Sequence, residues 1–406
     1  MKKDKPSLLR GSLTLLILLN VFNVINLAFQ FLMARALTVE EYGILATLFA
    51  LAFVLSLFSE SIQTVVTKYV SRSNNLGKIH GFLNSSTKKY FILALILFAI
   101  YVIISIPFSA AMGISFWLFV LNGLTLIIVF LSPITWGALQ GRKQFHALGW
   151  NIVLSAIVKL VLALLFIAIG WKVGGAVAAT ILGGLGGWMI SFIPLRDVYR
   201  AKVRRVENQI LDSHSRSIFT LFALLFTFYS LDVIIAKIVF DPTTAGYYSL
   251  ASVLAKTIFL GTQPISKAMF PFSAQAKAKS HAEKIFFKAA GMLIACSLCA
   301  LIVFYFFPTL LFYLFAGKYV QSAASILFYV GIAVTLMSLT NLVFYYNIST
   351  GKTNGLIIYA ICILLEVILL SVFSSSLISF SLALITASTI FLLASIFVQH
   401  KWKRSQ

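Results

Sequence analysis

The residues with the most chemistry to offer lie where charge is least expected. Glu60, Lys159, Asp232, Lys237, Lys256 and Glu366 all interrupt long apolar stretches. At the centre of a bilayer helix such a charge costs roughly 2.5–3.5 kcal/mol on insertion scales, so it faces inward, pairs, or binds something. Lys159, Lys256 and Glu366 stand near mid-stretch. The two ammonium groups suit an anionic ligand, or structural pairing, for instance with Glu366. The carboxyls of Glu60, Asp232 and Glu366 suit a transported proton or cation, or serve as counter-ions to the lysines. Lys237, like Lys288 further on, stands close enough to a stretch end for its ammonium to reach the interface.

Uncharged polar residues add a second pattern. Asn20, Asn23, Asn26 and Gln30 fall on one face of a helix, an arc of about 120° at helical spacing. Glu60, Gln63, Thr64, Thr67 and Lys68 repeat the arrangement, and Lys256, Gln263 and Lys267 form a related stripe. Two readings stay open: these faces join helices to one another, or they line a water-filled cavity. No nucleophile–base arrangement, metal-ligand spacing or cofactor motif accompanies them. Gly351-Lys352-Thr353 lacks the upstream glycine of a phosphate loop, since Tyr346 stands there. Cys296, Cys299 and Cys362 lie in apolar runs and read as small core residues. His80, His146, His214, His281 and His400 read as solvated surface. Gly183-Gly184-Leu185-Gly186-Gly187 allows close helix packing, and Pro133, Pro264 and Pro271 are candidate kinks.

The elements that must hold these groups follow from composition. Of 406 residues, 60% are hydrophobic and 11% charged, against about one quarter charged in ordinary soluble domains. Mean hydropathy is +0.99. The chain therefore reads as an all-α, multi-pass membrane protein. At about 20 apolar residues per crossing, the runs give about twelve spans: 12–34, 43–66, 90–112, 115–137, 147–169, 173–194, 217–240, 245–270, 285–307, 323–346, 354–373 and 377–398. Pro308–Ala316 is apolar but too short to cross. The net charge of +21 does not signal nucleic acid, because its lysines and arginines fall in short gaps between spans. With alternating sides, 25 of them fall on one side and only Arg35, Lys172 and Lys318 on the other. By the positive-inside rule the crowded side, with both termini, is cytoplasmic. No cleavable signal peptide is expected at the start of the chain.

The longest basic gap divides the spans six and six. The expected organisation is a lobe over 1–194, a basic cytoplasmic linker over 195–216 and a second lobe over 217–406. The lobes carry traces of a repeat. Met33-Ala34-Arg35-Ala36-Leu37 leads through Glu40-Glu41 to Tyr42-Gly43, as Ile235-Ala236-Lys237-Ile238-Val239 leads through Asp241-Pro242 to Ala245-Gly246-Tyr247-Tyr248. Gly137-Ala138-Leu139-Gln140-Gly141-Arg142 likewise answers Asn347-Ile348-Ser349-Thr350-Gly351-Lys352. Equal sidedness makes this a parallel repeat, an arrangement common in secondary transporters.

Ala34-Arg35-Ala36-Leu37 … Glu40-Glu41-Tyr42-Gly43, Leu231-Asp232 … Ala245-Gly246-Tyr247-Tyr248, and Gly137 to Arg142 with Phe145 resemble the signatures of bacterial polysaccharide-biosynthesis membrane proteins. These are the Wzx-type oligosaccharide flippases of the multidrug/oligosaccharidyl-lipid/polysaccharide exporter superfamily. The resemblance implies two pseudo-symmetric six-helix lobes around a central cationic cavity, in the bacterial cytoplasmic (inner) membrane. It implies a substrate of undecaprenyl-pyrophosphate-linked oligosaccharide, carried from the inner to the outer leaflet, with no cofactor. For such a substrate Lys159, Lys256, Arg35 and Lys237 suit the pyrophosphate, and Asn23, Asn26, Gln30 and Gln63 suit the sugar. Glu60, Asp232 and Glu366 remain the ion-coupling candidates. Membrane lipid, and a polysaccharide polymerase, stay open as partners. Two rivals stand beside this reading: a cation-coupled multidrug exporter of the same superfamily, and a membrane polymerase or ligase, against which the short outer loops argue.

Overall fold

In hydrocarbon every backbone N–H and C=O must be satisfied within its own segment, so apolar runs of this length become helices. The computed structural model describes residues 8–73, 75–204, 213–274, 278–350 and 355–401, and all its regular structure there is helical. In chain order the helices are α1 (Leu8–Ala36), α2 (Val39–Arg72), α3 (Leu76–Met112), α4 (Phe116–Gly123), α5 (Thr125–Gly141), α6 (Phe145–Ala168), α7 (Lys172–Ile190), α8 (Arg196–Arg200), α9 (Ser213–Val239), α10 (Pro242–Ala255), α11 (Thr257–Ala274), α12 (Lys279–Phe306), α13 (Pro308–Ala316), α14 (Gln321–Ser349), α15 (Leu356–Val372) and α16 (Leu377–Lys401).

Among the described residues, ten stretches are long and apolar enough to cross a membrane, with α4 and α5 together forming one of them. The two remaining expected spans take other forms. The run 354–373 becomes α15, of 17 residues. The run 245–270 becomes two helices, α10 and α11, that meet at Lys256. Neither break falls at a proline. Beside each, a threonine hydroxyl bonds back into the preceding turn: Thr125 Oγ1 donates to the Asn122 carbonyl at 2.6 Å, and Thr257 Oγ1 to the Leu254 carbonyl at 2.7 Å. The same bond occurs inside unbroken helices, as from Thr135 to the Ser132 carbonyl in α5, so it accompanies the breaks without accounting for them. Pro133 sits inside an unbroken α5.

The repeated sequence segments fold as paired helix starts. Thr38 and Glu41 exchange hydrogen bonds of 3.2 and 3.0 Å with each other's backbone N–H at the start of α2, a reciprocal cap. Asp241 caps α10 by accepting from the N–H groups of Thr243 and Thr244, both at 3.1 Å. The Thr244 side chain, followed by its N–H, is the main reason the Asp241 carboxyl titrates below the usual carboxylate range. The two copies also touch, because Thr243 Oγ1 donates to Glu40 Oε1 at 2.6 Å. Their glycines meet as well. A Cβ on Gly43 would lie 2.9 Å from the Gly246 Cα, and one on Gly246 would lie 2.3 Å from the Val39 carbonyl oxygen.

Two compact units result: Met1–Leu37 with Leu55–Leu211, and Thr38–Val54 with Asp212–Gln406. Helix α2 therefore contributes its first half to one and its second half to the other. In the first unit, Ile62, Val66 and Val70 of α2 join Leu126, Phe130 and Ile134 of α5 in a buried core. The beginning of the basic linker folds onto this unit, since Leu195 and Val198 are fully buried. Arg142, just past α5, holds Asp197 of α8 through two hydrogen bonds of 2.7 and 2.6 Å. These bonds keep the Asp197 carboxyl below the usual carboxylate range.

Several surface expectations change. Cys362 is buried as expected, but Cys296 and Cys299 are exposed on α12. A thiol is apolar enough for a surface that faces lipid rather than water. His80 is part-buried, its Nδ1 2.8 Å from the Ala201 carbonyl oxygen, so it is a folded group rather than a solvated one. Substituting glycines separates tight packing from open surface. Gly246→Ala, which drives a methyl into backbone, is expected to destabilise the protein by about 1–3 kcal/mol. Gly291→Ala on α12, with nothing within 4 Å, is expected to be neutral or to stabilise by about 0.5 kcal/mol. Thermal unfolding of the two variants in detergent checks the opposite signs.

Candidate functional site

The first unit holds Lys159 on α6, which packs between α1 and α7. Its position rests on a close approach: a Cβ on Gly183 would lie 2.8 Å from the Lys159 Cβ. The predicted glycine-rich packing thus seats the lysine. Its ammonium donates to the Asn26 side-chain oxygen on α1 and lies 4.4 Å from the centre of the Phe29 ring. Asn26 is itself aimed by its amide nitrogen, which donates to the Phe22 carbonyl at 3.0 Å. Among the described residues no carboxylate lies within ion-pair distance of Lys159. An amide oxygen and a ring face stabilise the ammonium but supply no net negative charge. Lys159 therefore keeps the capacity to bind an anion.

The other candidates in this unit are placed differently. Asn20 and Asn23 are exposed and Gln30 is half-buried, all on α1 with Asn26, while Arg35 is exposed in its last turn. Gln63 on α2 donates to the Gln140 side-chain oxygen on α5 at 2.8 Å. Thr67 Oγ1 lies 3.3 Å from the same oxygen and 3.2 Å from the Gly137 carbonyl. This part of the second polar stripe joins helices. Glu60 lies on α2, but its side chain falls outside the described residues.

The second unit holds a buried charge cluster on α9, α10 and α15. Lys256, at the break after α10, donates to Asp232 Oδ1 on α9 at 2.8 Å. Ser252 and Tyr248, one and two turns before it, donate to Asp232 Oδ2 at 2.7 and 3.1 Å. The Lys256 ammonium also lies 4.7 Å from the centre of the Tyr229 ring. Asp232 is 1% exposed and Lys256 12% exposed in this pair, so each neutralises the other away from solvent. Glu366 on α15 is fully buried, and neither of its carboxyl oxygens has a hydrogen-bond partner among the described residues. It lies close enough to Asp232 and Lys256 to feel their charge. An ionised carboxylate in that position costs several kcal/mol, so the group needs a proton or a cation. Lys237, near the end of α9, is buried with the acids Glu40 and Asp241 as its electrostatic neighbours.

The structure thus brings Asn26 to Lys159, and Asp232 and Glu366 to Lys256. It adds Phe29, Tyr229, Tyr248 and Ser252, which composition alone did not single out. Tyr248, Ser252 and Lys256 recur every four residues, a helical face that the spacing carried in plain sight.

Comparison with known proteins places this arrangement. The sequence profile of a family described as polysaccharide biosynthesis protein matches residues 8–277. Among curated proteins, none matches the chain by sequence. An inward-facing multidrug resistance MATE family transporter of the MOP superfamily is similar in structure, with a TM-score of 0.71 at 16% identity over 95% of this chain and 96% of that one. The lipid II flippase MurJ in an inward closed conformation gives 0.72 at 14% identity over 94% and 86%. A MOP superfamily transporter from Pyrococcus furiosus gives 0.60 at 15% identity over 97% and 95%. The fold is that of MOP transporters.

Removing one partner of the buried pair tests the cluster. Asp232→Ala strands the Lys256 ammonium and is expected to destabilise the protein by about 3–5 kcal/mol. Asp232→Leu combined with Lys256→Met is expected to recover most of that loss. Thermal unfolding of the single and double variants gives the coupling.

Proposed function

This chain belongs to the polysaccharide biosynthesis protein family, and from that premise we propose that it flips undecaprenyl-pyrophosphate-linked oligosaccharide across the bacterial cytoplasmic membrane. It is a multi-pass membrane protein with a transporter fold. The substrate would move from the inner to the outer leaflet by alternating access, for assembly of a surface polysaccharide, with both termini on the cytoplasmic side. The observation that carries this reading is Lys159, an ammonium on a membrane-spanning helix with an amide and a ring beside it and, among the described residues, no carboxylate. An anionic pyrophosphate supplies the missing charge. Asn26 then either shares the ligand or yields its hydrogen bond to it, and the exposed Asn23 and half-buried Gln30 offer amides for sugar hydroxyls. Arg35, exposed in the last turn of α1, would serve the headgroup toward the outer end.

Lys256 has a different part in this proposal. Its charge is held by Asp232, so it serves the substrate only when that bond loosens. A proton or cation taken up by Asp232 would loosen it, which links ion binding to the state of Lys256. The membrane potential helps directly. With the inside negative, it drives an anion outward by about 2.3 kcal/mol per charge per 100 mV.

A multidrug exporter with the same fold is the second reading, and the carboxyls of Asp232 and Glu366 are what favour it. A cationic drug, however, gains nothing from an uncompensated ammonium at Lys159.

Complementation of a deletion strain tests the proposal. Lys159→Met removes a charge-assisted contact of about 1.5–3 kcal/mol, and so is expected to lower surface polysaccharide about 10- to 100-fold at normal expression. Lipid-linked repeats should then accumulate on the inner leaflet. Lys159→Arg is expected to retain most of the activity. Unchanged polymer in Lys159→Met, with an unchanged leaflet distribution, would sink the reading, and drug susceptibility of the same strains would test the exporter.

A further inference from the structure

A cavity of about 1000 Å³ opens in the first unit, away from Lys159, lined by Lys143, Gln144, Phe145 and His146 after α5 and by Ile193 and Arg196 beside α8. Every segment that contributes to it lies on the side that the charge bias assigns to the cytoplasm. Asp197 also lines it, but both its oxygens are taken by Arg142. The charges of Lys143 and Arg196 are left over.

Lys143 stands where a lysine is out of place. The N–H of Gln144 bonds the Leu139 carbonyl and that of Lys143 bonds the Gln140 carbonyl, both at 2.9 Å. This helix ending puts a left-handed residue at its turn, normally glycine. Here Lys143 adopts it, with φ of +60°. Strain of this kind persists where the side chain has work to do. Beside it, the Gln144 side-chain oxygen is buried with no hydrogen-bond partner among the described residues. The apolar wall is open to lipid: Ile193 is 65% exposed, and Trp150, whose ring lies 6.3 Å from that of His146, is 46% exposed.

We propose that this cavity binds the headgroup of an anionic phospholipid of the cytoplasmic leaflet, with Lys143 and Arg196 on its phosphate and its acyl chains against Ile193 and Phe145. The lining favours a bilayer lipid over the transported one. Its uncharged polar side chains are Thr14, Gln144 and His146, enough for a glycerol headgroup and too few for an oligosaccharide. The site does not depend on the transport reading. It would set the depth of the first unit in the membrane.

Native mass spectrometry of the full chain in detergent, titrated with dioleoyl phosphatidylglycerol or dioleoyl phosphatidylcholine, tests this. The wild type is expected to retain phosphatidylglycerol more tightly. Lys143→Gly and Arg196→Gln are each expected to weaken that binding about fivefold while leaving phosphatidylcholine unchanged. Lys143→Gly should melt no lower than the wild type, because glycine relieves the left-handed turn, so its lost lipid is not lost folding. The proposal is overturned if the double variant keeps the phosphatidylglycerol preference, or if the wild type has none. It is also overturned if undecaprenyl pyrophosphate displaces phosphatidylglycerol from the wild type at equimolar amounts.

Discussion

An ammonium group held among membrane-spanning helices needs a compensating partner, and the two units meet that need in opposite ways. In the second, Lys256 has Asp232 at 2.8 Å, and the carboxylate is completed by Ser252 and Tyr248. That pair is electrically closed. In the first, Lys159 has the Asn26 amide and the Phe29 ring and, among the described residues, no carboxylate, so its charge remains open there. The difference assigns different chemistry to two lysines that look alike in sequence. In the proposed cycle the open ammonium would receive an anion, and the closed pair would respond to a proton or cation.

The scaffold serves these placements through small residues and local breaks. Gly183 lets α7 approach the Lys159 Cβ, which fixes how far the lysine reaches toward α1. The break between α10 and α11 falls at Lys256 itself, where Thr257 bonds back to Leu254. Lys256 keeps helical backbone angles there, bonding the Ser252 carbonyl through its N–H and accepting from the Leu260 N–H. At the paired starts of α2 and α10, equivalent glycines meet, and equivalent acidic turns are tied by Thr243 and Glu40.

Much of this was legible in the residues. The apolar runs and their basic gaps carried the helical membrane fold, whereas the repeated Gly43 and Gly246 segments showed a repeat but not that its copies touch. Asn26 stood on a polar face that could be read from spacing, and Lys159 stood out as a charge inside an apolar run. The partner of Lys256 could not be chosen that way: Asp232 and Glu366 were both available, and only packing decides which carboxylate reaches it. The helix breaks were hidden for a related reason. Proline drew attention at Pro133 and Pro264, whereas the breaks fall beside Thr125 and Thr257, whose kind of back-bonded hydroxyl also occurs in unbroken helices and so marks no break. Cys296 and Cys299 misled because an apolar run in a membrane has two apolar destinations, the core and the lipid.

The central claim is that the open charge of Lys159 carries an anionic lipid headgroup across the membrane. Its most direct measurement is transbilayer movement in vesicles containing only the purified protein and a fluorescent undecaprenyl-pyrophosphate-linked oligosaccharide, with the label on the outer face read by a membrane-impermeant quencher. The account predicts rapid equilibration with the wild type and with Lys159→Arg, and movement near the protein-free rate with Lys159→Met. Equal rates for Lys159→Met and the wild type would contradict it.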